Sequence, residues 1–199
     1  MEYHFRIIIL AAGSSERMGK PKLLLPYLGR SLIMHTVLVA NEIKKGPPIV
    51  VTGAYDELIR NELSTIEADM VYNPEWETGM ASSIKTGLYF ACQDGDLESV
   101  LITVSDQPFL SAKLYSAIID KKFESKKQII ACRYEDGTVG VPVLFSRGMF
   151  NDLFNLKGQE GARMIIRNHP DLVDIIDFPS GGIDIDTLED YNKLANQPN

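Results

Sequence analysis

The sequence predicts an α/β fold in which helices cover both faces of a mostly parallel β-sheet. Short apolar runs, typical of buried strands, alternate with longer segments whose apolar residues recur at helical spacing. Turns rich in glycine and proline, such as Gly46-Pro47-Pro48, separate these segments. The chain of 199 residues contains no repeat and no low-complexity linker, so we expect one domain over residues 1–199.

Each strand is predicted from a short apolar or β-branched run that ends at a turn. These runs are residues 5–9, 49–52, 69–72, 100–105, 128–133, 141–145 and 173–178. Helices are predicted where apolar residues recur every three or four positions, with Ser31 and Ser111 as candidate N-caps. The predicted helices span about 31–45, 55–63, 80–92, 111–123, 147–156 and 162–168, and a capping box at 187–190 predicts one more.

Composition and charge exclude several classes of protein. The formal net charge of −7 argues against a general nucleic-acid or membrane surface, which would need a basic face. Nothing approaches the ~18 consecutive apolar residues that a membrane-spanning helix needs. The two cysteines, Cys92 and Cys132, have no metal-binding spacing. We expect a cytoplasmic protein without a leader, and these numbers still allow a nucleotide in a local basic pocket.

The segment from Leu10 to Lys22 follows the first predicted strand and predicts a phosphate-binding turn. Gly13 allows the backbone to approach a ligand closely, and Arg17, Lys20 and Lys22 add three positive charges. The spacing of its glycines fits neither the Walker A loop of P-loop NTPases nor the G-x-G-x-x-G fingerprint of dinucleotide-binding domains. From the residues alone, a solvated glycine-serine loop is the alternative.

The pattern L-A-A-G-x-S-x-R-M-G-x-x-K in this segment resembles the signature of the MobA-like nucleotidyltransferases. These enzymes move a nucleoside monophosphate from an NTP to a phosphorylated acceptor. The resemblance implies a three-layer αβα, Rossmann-like sheet of the nucleotide-diphospho-sugar transferase type, with a nucleotide-binding half (about 1–110) and an acceptor-binding half (about 111–199). It assigns nucleotide contacts to Leu10, Ala11, Ala12, Gly13, Arg17 and Lys22 and makes Arg17 and Lys22 catalytic, since they would stabilise charge on the departing pyrophosphate.

Asp106 closes a predicted strand in the sequence S-D-Q-P, where α/β sheets bind their ligands. From position alone, its carboxylate either holds Mg²⁺ or braces the turn before Pro108. The resemblance implies a catalytic, metal-binding aspartate in a D-x-P motif, which Asp106 matches. It also implies that the segment G-G-I-D-I-D-T-L-E-D supplies a second ligand, Asp186 or Asp184, although Leu188 stands where the family has proline.

Residues 73–87 contain the pattern G-M-x-x-S. In the family that the sequence resembles, this pattern lies beside the nucleobase. Gly79 begins the pattern and Ser83 ends it, so the resemblance makes Gly79 and Ser83 nucleotide-binding, with help from Asn73. The alternative is an ordinary helix N-terminus with local caps. Trp76, the single tryptophan, either stacks on a ligand or shields the loop.

The second half of the chain carries a looser match. Gly140 and Pro142 fit a G-x-P motif, but Val141 stands where the family often has histidine. Arg163 ends a G-x-x-G-A-R motif and is the implied acceptor-binding residue, because a guanidinium binds phosphate oxygens in a bidentate manner. A surface arginine on a helix is the alternative.

The G-M-x-x-S motif is most similar to that of molybdenum cofactor cytidylyltransferases and related purine-catabolism maturation proteins. The resemblance therefore implies CMP transfer from CTP to molybdopterin with Mg²⁺ as cofactor, and contact with a molybdenum hydroxylase or its chaperone. No covalent nucleophile is needed, and the sequence contains no evident Ser-His or Cys-His arrangement. The alternatives are guanylyl or other nucleotidyl transfer to another acceptor such as a sugar phosphate, or a nucleotide-binding accessory protein without turnover.

Overall fold

A seven-stranded sheet forms the centre of the computed structural model, which describes residues 4–15, 21–185 and 189–191. The order across the sheet is β5-β4-β1-β6-β8-β7-β9. Its strands are β1 (Phe5–Ala11), β4 (Ile49–Thr52), β5 (Asp69–Tyr72), β6 (Ser99–Val104), β7 (Ile129–Arg133), β8 (Val139–Ser146) and β9 (Val173–Asp177). Two-residue strands β2 (Pro26–Tyr27) and β3 (Arg30–Ser31) form a separate hairpin.

Six strands of the sheet run in one direction, and β8 runs against them. Parallel pairing joins β1 to β4 and β6, β4 to β5, and β7 to β9. The reversed strand β8 pairs antiparallel with both β6 and β7. A turn of only five residues, 134–138, links β7 to β8, and such a connection is too short for a parallel crossover.

Helices cover both faces of the sheet, as the sequence predicts. They are α1 (Leu32–Asn41), α2 (Asp56–Glu62), α3 (Met80–Ala91), α4 (Ala112–Glu124), α5 (Phe150–Asn155) and α6 (Ala162–Asn168). The alternation of side chains along β1 builds the two cores, because successive residues of a strand point to opposite faces. Ile7 and Ile9 pack with α1, α2 and α4, whereas Ile8 packs with α3, α5 and α6.

The bounds of several elements differ from those predicted. Helix α1 ends at Asn41 rather than near residue 45, since Ile43 and Lys44 donate to carbonyls three residues back and Lys44 takes a positive φ. The predicted helix 147–156 is a 3₁₀ turn (Arg147–Met149) followed by α5. Residues 189–191 are helical, but the predicted cap Thr187 lies outside the described residues. None of the described helices is long and apolar enough to span a bilayer.

Candidate active site

A cleft of about 690 Å³ opens at the carboxyl ends of β1 and β6. From β1 the chain proceeds to β4 and β5 on one side, and then crosses to β6 on the other. A sheet of this topology leaves a crevice where the strand order reverses, and ligands of α/β proteins bind there. Eight of the predicted site residues line this cleft: Leu10, Ala11, Ala12, Gly13, Lys22, Gly79, Ser83 and Asp106.

Lys22 and Asp106 form an ion pair at the wall of the cleft. The Lys22 ammonium donates to an Asp106 carboxylate oxygen at 2.7 Å, and the two side chains are 15% and 22% exposed. Asp106 follows β6, while Lys22 begins a 3₁₀ turn (Lys22–Leu24) just beyond the first loop. The pair therefore places an ammonium group, which is a type of group suited to phosphate, beside a carboxylate, which is a type of ligand suited to a hard divalent metal. Arg17 lies outside the described residues, so its role stays a prediction.

Hydrogen bonds from the next β-α connection fix the glycine-serine loop. The Ala12 carbonyl accepts from the Ala54 amide at 3.1 Å, and the Tyr55 hydroxyl donates to the Ser14 carbonyl at 2.7 Å. These two bonds hold the backbone of residues 12–14 against the connection between β4 and α2. Backbone held in this way provides preorganised groups along one wall of the cleft.

The amino end of α3 forms the opposite wall. Gly79 precedes the helix with φ of 120°, and Ser83 lies one turn inside it with 5% of its surface exposed. Asn73 is 1% exposed and lies behind Ser83, since its side-chain amide donates to the Ser82 and Ser83 hydroxyls at 2.8 and 3.0 Å. Asn73 does not line the cleft. Its geometry orients Ser83, and its predicted contact with a nucleotide is untested.

The cleft also contains side chains that the sequence did not assign to the site. Glu77 and Gln159 line it, together with Trp76 and Met80. Gln159 lies between the two glycines of the G-x-x-G motif, and that motif was the available signal. The Gly158 carbonyl accepts from the Ala81 amide at 3.1 Å, which holds this loop against the start of α3. The predicted acceptor half and nucleotide half therefore contribute to one cavity.

The segment that carries Asp184 returns to Asp106. The buried residue Ile185 donates its amide to the Asp106 carbonyl at 3.1 Å. Asp186 lies outside the described residues, and Asp184 is exposed on the side of Tyr134. Burial raises the pKa of the Tyr134 phenol, hydrogen bonds with Gln107 and Arg163 and the positive charge of Arg163 partly offset this rise, and the negative charge of Asp184 adds a smaller increase. Within residues 4–15, 21–185 and 189–191, no three acidic, histidine or cysteine side chains form a metal-binding group.

Arg163 lies outside the lining of the cleft, at the start of α6. Its guanidinium carbon is 5.6 Å from the centre of the Tyr134 ring, within the range of a cation–π contact. The side chain is exposed, so it remains accessible to a ligand. The structure therefore brings together the loop that follows β1 (the β1 loop), the start of α3 and Asp106. Arg163 lies outside the cleft that these three features line.

Comparison with known proteins identifies the family. The model of the MobA-like NTP transferase domain matches residues 7–173. The chain belongs to this family. Among its relatives, the MobA-like chain is 30% identical over 200 residues to nicotine blue oxidoreductase of Paenarthrobacter nicotinovorans, and 27% identical over 204 residues to the purine catabolism protein PucB of Bacillus subtilis. Each alignment covers 94% of both chains.

A solved structure agrees with the family assignment. Rv0371c of Mycobacterium tuberculosis superposes with a TM-score of 0.83 and 28% identity over 99% of this chain and 100% of that chain. A second crystal structure of Rv0371c is a complex with manganese and has a TM-score of 0.80. These comparisons confirm the predicted MobA-like resemblance and the α/β fold with its mostly parallel sheet. They place the protein among nucleotidyltransferases.

Proposed function

We propose that this protein transfers CMP from CTP to a phosphorylated acceptor, molybdopterin, and releases pyrophosphate. One observation carries the proposal: the Lys22–Asp106 pair lies in a cleft bounded by a fixed glycine-serine loop and the start of α3. Phosphoryl transfer needs no covalent nucleophile. Its main requirement is that cations and backbone amides are already in place where negative charge develops on the phosphates.

The choice of CTP and molybdopterin is supported by sequence resemblance. The G-M-x-x-S motif, which runs from Gly79 to Ser83, is similar to that of the cytidylyltransferase branch. Ser83 and Gly79 line the cleft where a base could be bound. The relative PucB is named a purine catabolism protein, which agrees with a role in maturing a molybdenum hydroxylase. Contact with such a hydroxylase or its chaperone, in the cytoplasm, belongs to the same proposal.

A divalent metal, Mg²⁺, fits the donors present. Asp106 offers carboxylate oxygens at the cleft, and the Ile185–Asp106 hydrogen bond brings the segment that ends at Ile185, with Asp184, to it. Oxygen-only ligands suit Mg²⁺ and Mn²⁺, and the manganese complex of Rv0371c supports a metal of this kind. When bound, the metal would neutralise charge on the α-phosphate and the leaving pyrophosphate.

The residues of the chain would then act by position and charge. The β1 loop and Lys22 would bind the triphosphate, with Arg17 adding charge at the pyrophosphate. Arg163 would bind the phosphate of the acceptor, whose oxygen attacks the α-phosphorus in line with the departing pyrophosphate. Orientation of the two substrates would supply much of the rate enhancement.

Thermal unfolding with CTP, GTP, UTP and ATP, each with and without Mg²⁺, tests the nucleotide. A ligand at 100 times its Kd stabilises by about 2.7 kcal/mol, which is a shift of several degrees. We expect a Mg²⁺-dependent shift with CTP alone, followed by pyrophosphate release when molybdopterin is added. A shift with GTP or UTP instead would show that this nucleotide, and not CTP, is the substrate. CTP binding without pyrophosphate release would favour a non-catalytic accessory protein.

One relative favours a second candidate function. The match to a protein named nicotine blue oxidoreductase spans 94% of this chain at 30% identity, which favours a redox activity at the same cleft. A nicotinamide dinucleotide would also place phosphates on the β1 loop, although that loop lacks the usual dinucleotide fingerprint. Oxidation of NADH or NADPH with a quinonoid dye as acceptor, in the absence of nucleotidyl transfer, would support this alternative.

A further inference from the structure

A buried glutamine lies directly after Asp106 and joins three segments of the chain. Gln107 is 2% exposed. Its side-chain amide donates to the Gly181 carbonyl at 2.6 Å and to the Tyr134 hydroxyl at 3.1 Å. The buried amide nitrogen would be costly to leave without hydrogen bonds, so these contacts fix the glutamine and its partners, whereas the amide oxygen has no hydrogen-bond partner among the described residues. The cleft itself does not include Gln107.

Tyr134 extends this network to the arginine. Its hydroxyl donates to the Val141 carbonyl at 2.6 Å, and its ring lies under the Arg163 guanidinium at 5.6 Å. Burial raises the pKa of the phenol, so the hydroxyl stays a donor at neutral pH. Val141, where the family often has histidine, thus takes part through its backbone. One side chain therefore contacts both the Gln107 amide and Arg163.

The dipeptide Asp106-Gln107 holds the segment 181–185 at both ends. Gln107 binds the Gly181 carbonyl, and the Asp106 carbonyl binds the Ile185 amide. A side chain at Gly181 would lie 2.5 Å from a ring carbon of Tyr134, so the segment packs closely on that ring. This segment carries Asp184 and continues into Asp186. Its distance from Asp106 depends on these two hydrogen bonds.

We infer that Gln107 and Tyr134 are positioning residues, which fix the carboxylate-bearing segment 181–185 against Asp106 and hold Arg163 over the Tyr134 ring. The roles of Asp106 and Arg163 rest on the proposed function, whereas the network itself does not. Residues that orient metal ligands in this way typically change metal affinity or activity by about 10–100-fold when mutated.

Two substitutions at Tyr134 separate the role of its hydroxyl from that of its ring. Tyr134→Phe removes the hydroxyl, with its hydrogen bonds to Gln107, Val141 and Arg163, and keeps the ring, so we expect kcat to fall about tenfold with a smaller rise in the acceptor KM than Tyr134→Leu causes. Tyr134→Leu removes the ring as well, so the acceptor KM should also rise roughly fivefold as Arg163 loses its support. Equal effects of the two variants on KM, or no effect of either on kcat, would overturn the inference.

Two further measurements do not depend on turnover. Gln107→Met keeps the side-chain volume and removes the amide, so exchange of the Ile185 amide hydrogen should become at least tenfold faster. The amide of Ile102 in the centre of β6 is the internal control. Mn²⁺ affinity, measured by electron paramagnetic resonance, should fall in the same variant. Unchanged Ile185 exchange and unchanged Mn²⁺ affinity would refute the positioning role, even if no nucleotidyl transfer is ever found. A circular dichroism spectrum of the variant that matches the wild-type spectrum verifies that the variant is folded.

Discussion

Replacing the buried Gly79 with alanine should strongly destabilise the protein. Gly79 has φ of 120° and ψ of −177°, a backbone region that is open almost only to glycine. An added Cβ would lie 2.5 Å from the Gly158 carbonyl carbon and closer still to its oxygen. The obstacle is backbone, so the 157–161 loop must move away from α3.

The expected cost has two parts. The unfavourable backbone conformation contributes about 1–3 kcal/mol. Displacement of the Gly158 peptide also breaks its 3.1 Å hydrogen bond with the Ala81 amide, which contributes about 1 kcal/mol. The sum is about 3 kcal/mol, and at 2–4 °C per kcal/mol for this chain length it lowers the unfolding temperature by about 6–12 °C.

Calorimetry of three proteins tests this estimate. Gly95→Ala is the control, because Gly95 is exposed and no atom lies within 4 Å of an added Cβ there. We expect the control within about 0.5 kcal/mol of the wild type. Gly79→Ala should also weaken the stabilisation by CTP, since Gly79 and the displaced Gln159 both line the cleft. An unfolding temperature for Gly79→Ala within 2 °C of the control would refute the reasoning.

Three further outcomes are expected. Asp106→Asn should lower pyrophosphate release by about 10²–10³-fold, and retained turnover would show that Asp106 takes no part in the reaction. Trp76 is the only tryptophan and lines the cleft, so CTP with Mg²⁺ should quench its fluorescence with the same Kd as the thermal shift; unchanged emission would place the nucleotide away from Trp76. Burial raises the pKa of both thiols, that of Cys132 to about 12, but only Cys92 is exposed, so a thiol reagent at pH 8 should label one cysteine per native chain. Fast labelling of both cysteines would contradict the burial of Cys132.

Local patterns in the sequence were sufficient for most of the secondary structure. Strands β4 and β5 and helix α6 have the predicted bounds, because each apolar run is flanked by clear turn residues. The hairpin of β2 and β3 was missed, since two-residue strands contain no alternation to detect. The direction of β8 was also not specified, because a buried strand is equally apolar in either direction. The Asp136-Gly137 turn before it was the available signal for a hairpin.

The candidate site was predictable where it is continuous in sequence. The residues from Leu10 to Gly13 line the cleft because they form the carboxyl end of β1 and the start of the loop that follows it. Contacts across long separations could not be derived in the same way. Gln107 meets Gly181 74 positions away, and nothing local to either residue indicates that pairing. Asn73 donates its side-chain amide to the Ser82 and Ser83 hydroxyls, a pairing across two elements that its local sequence does not indicate, and its contact with a nucleotide stays a prediction.

The G-x-P motif lies at the start of β8, and the reversed direction of this strand explains how the motif reaches the edge of the sheet where the cleft opens. Parallel strands bring their carboxyl ends to the edge, which is where Asp106 lies after β6. Because Val143 of β8 pairs with Ile102 and Ser146 with Ser99, the amino end of β8 lies at that edge instead. The Val141 carbonyl therefore meets the Tyr134 hydroxyl there. A parallel β8 would have carried residues 139–141 to the opposite edge of the sheet, so the G-x-P motif takes part in the network around Gln107 only because this strand is antiparallel.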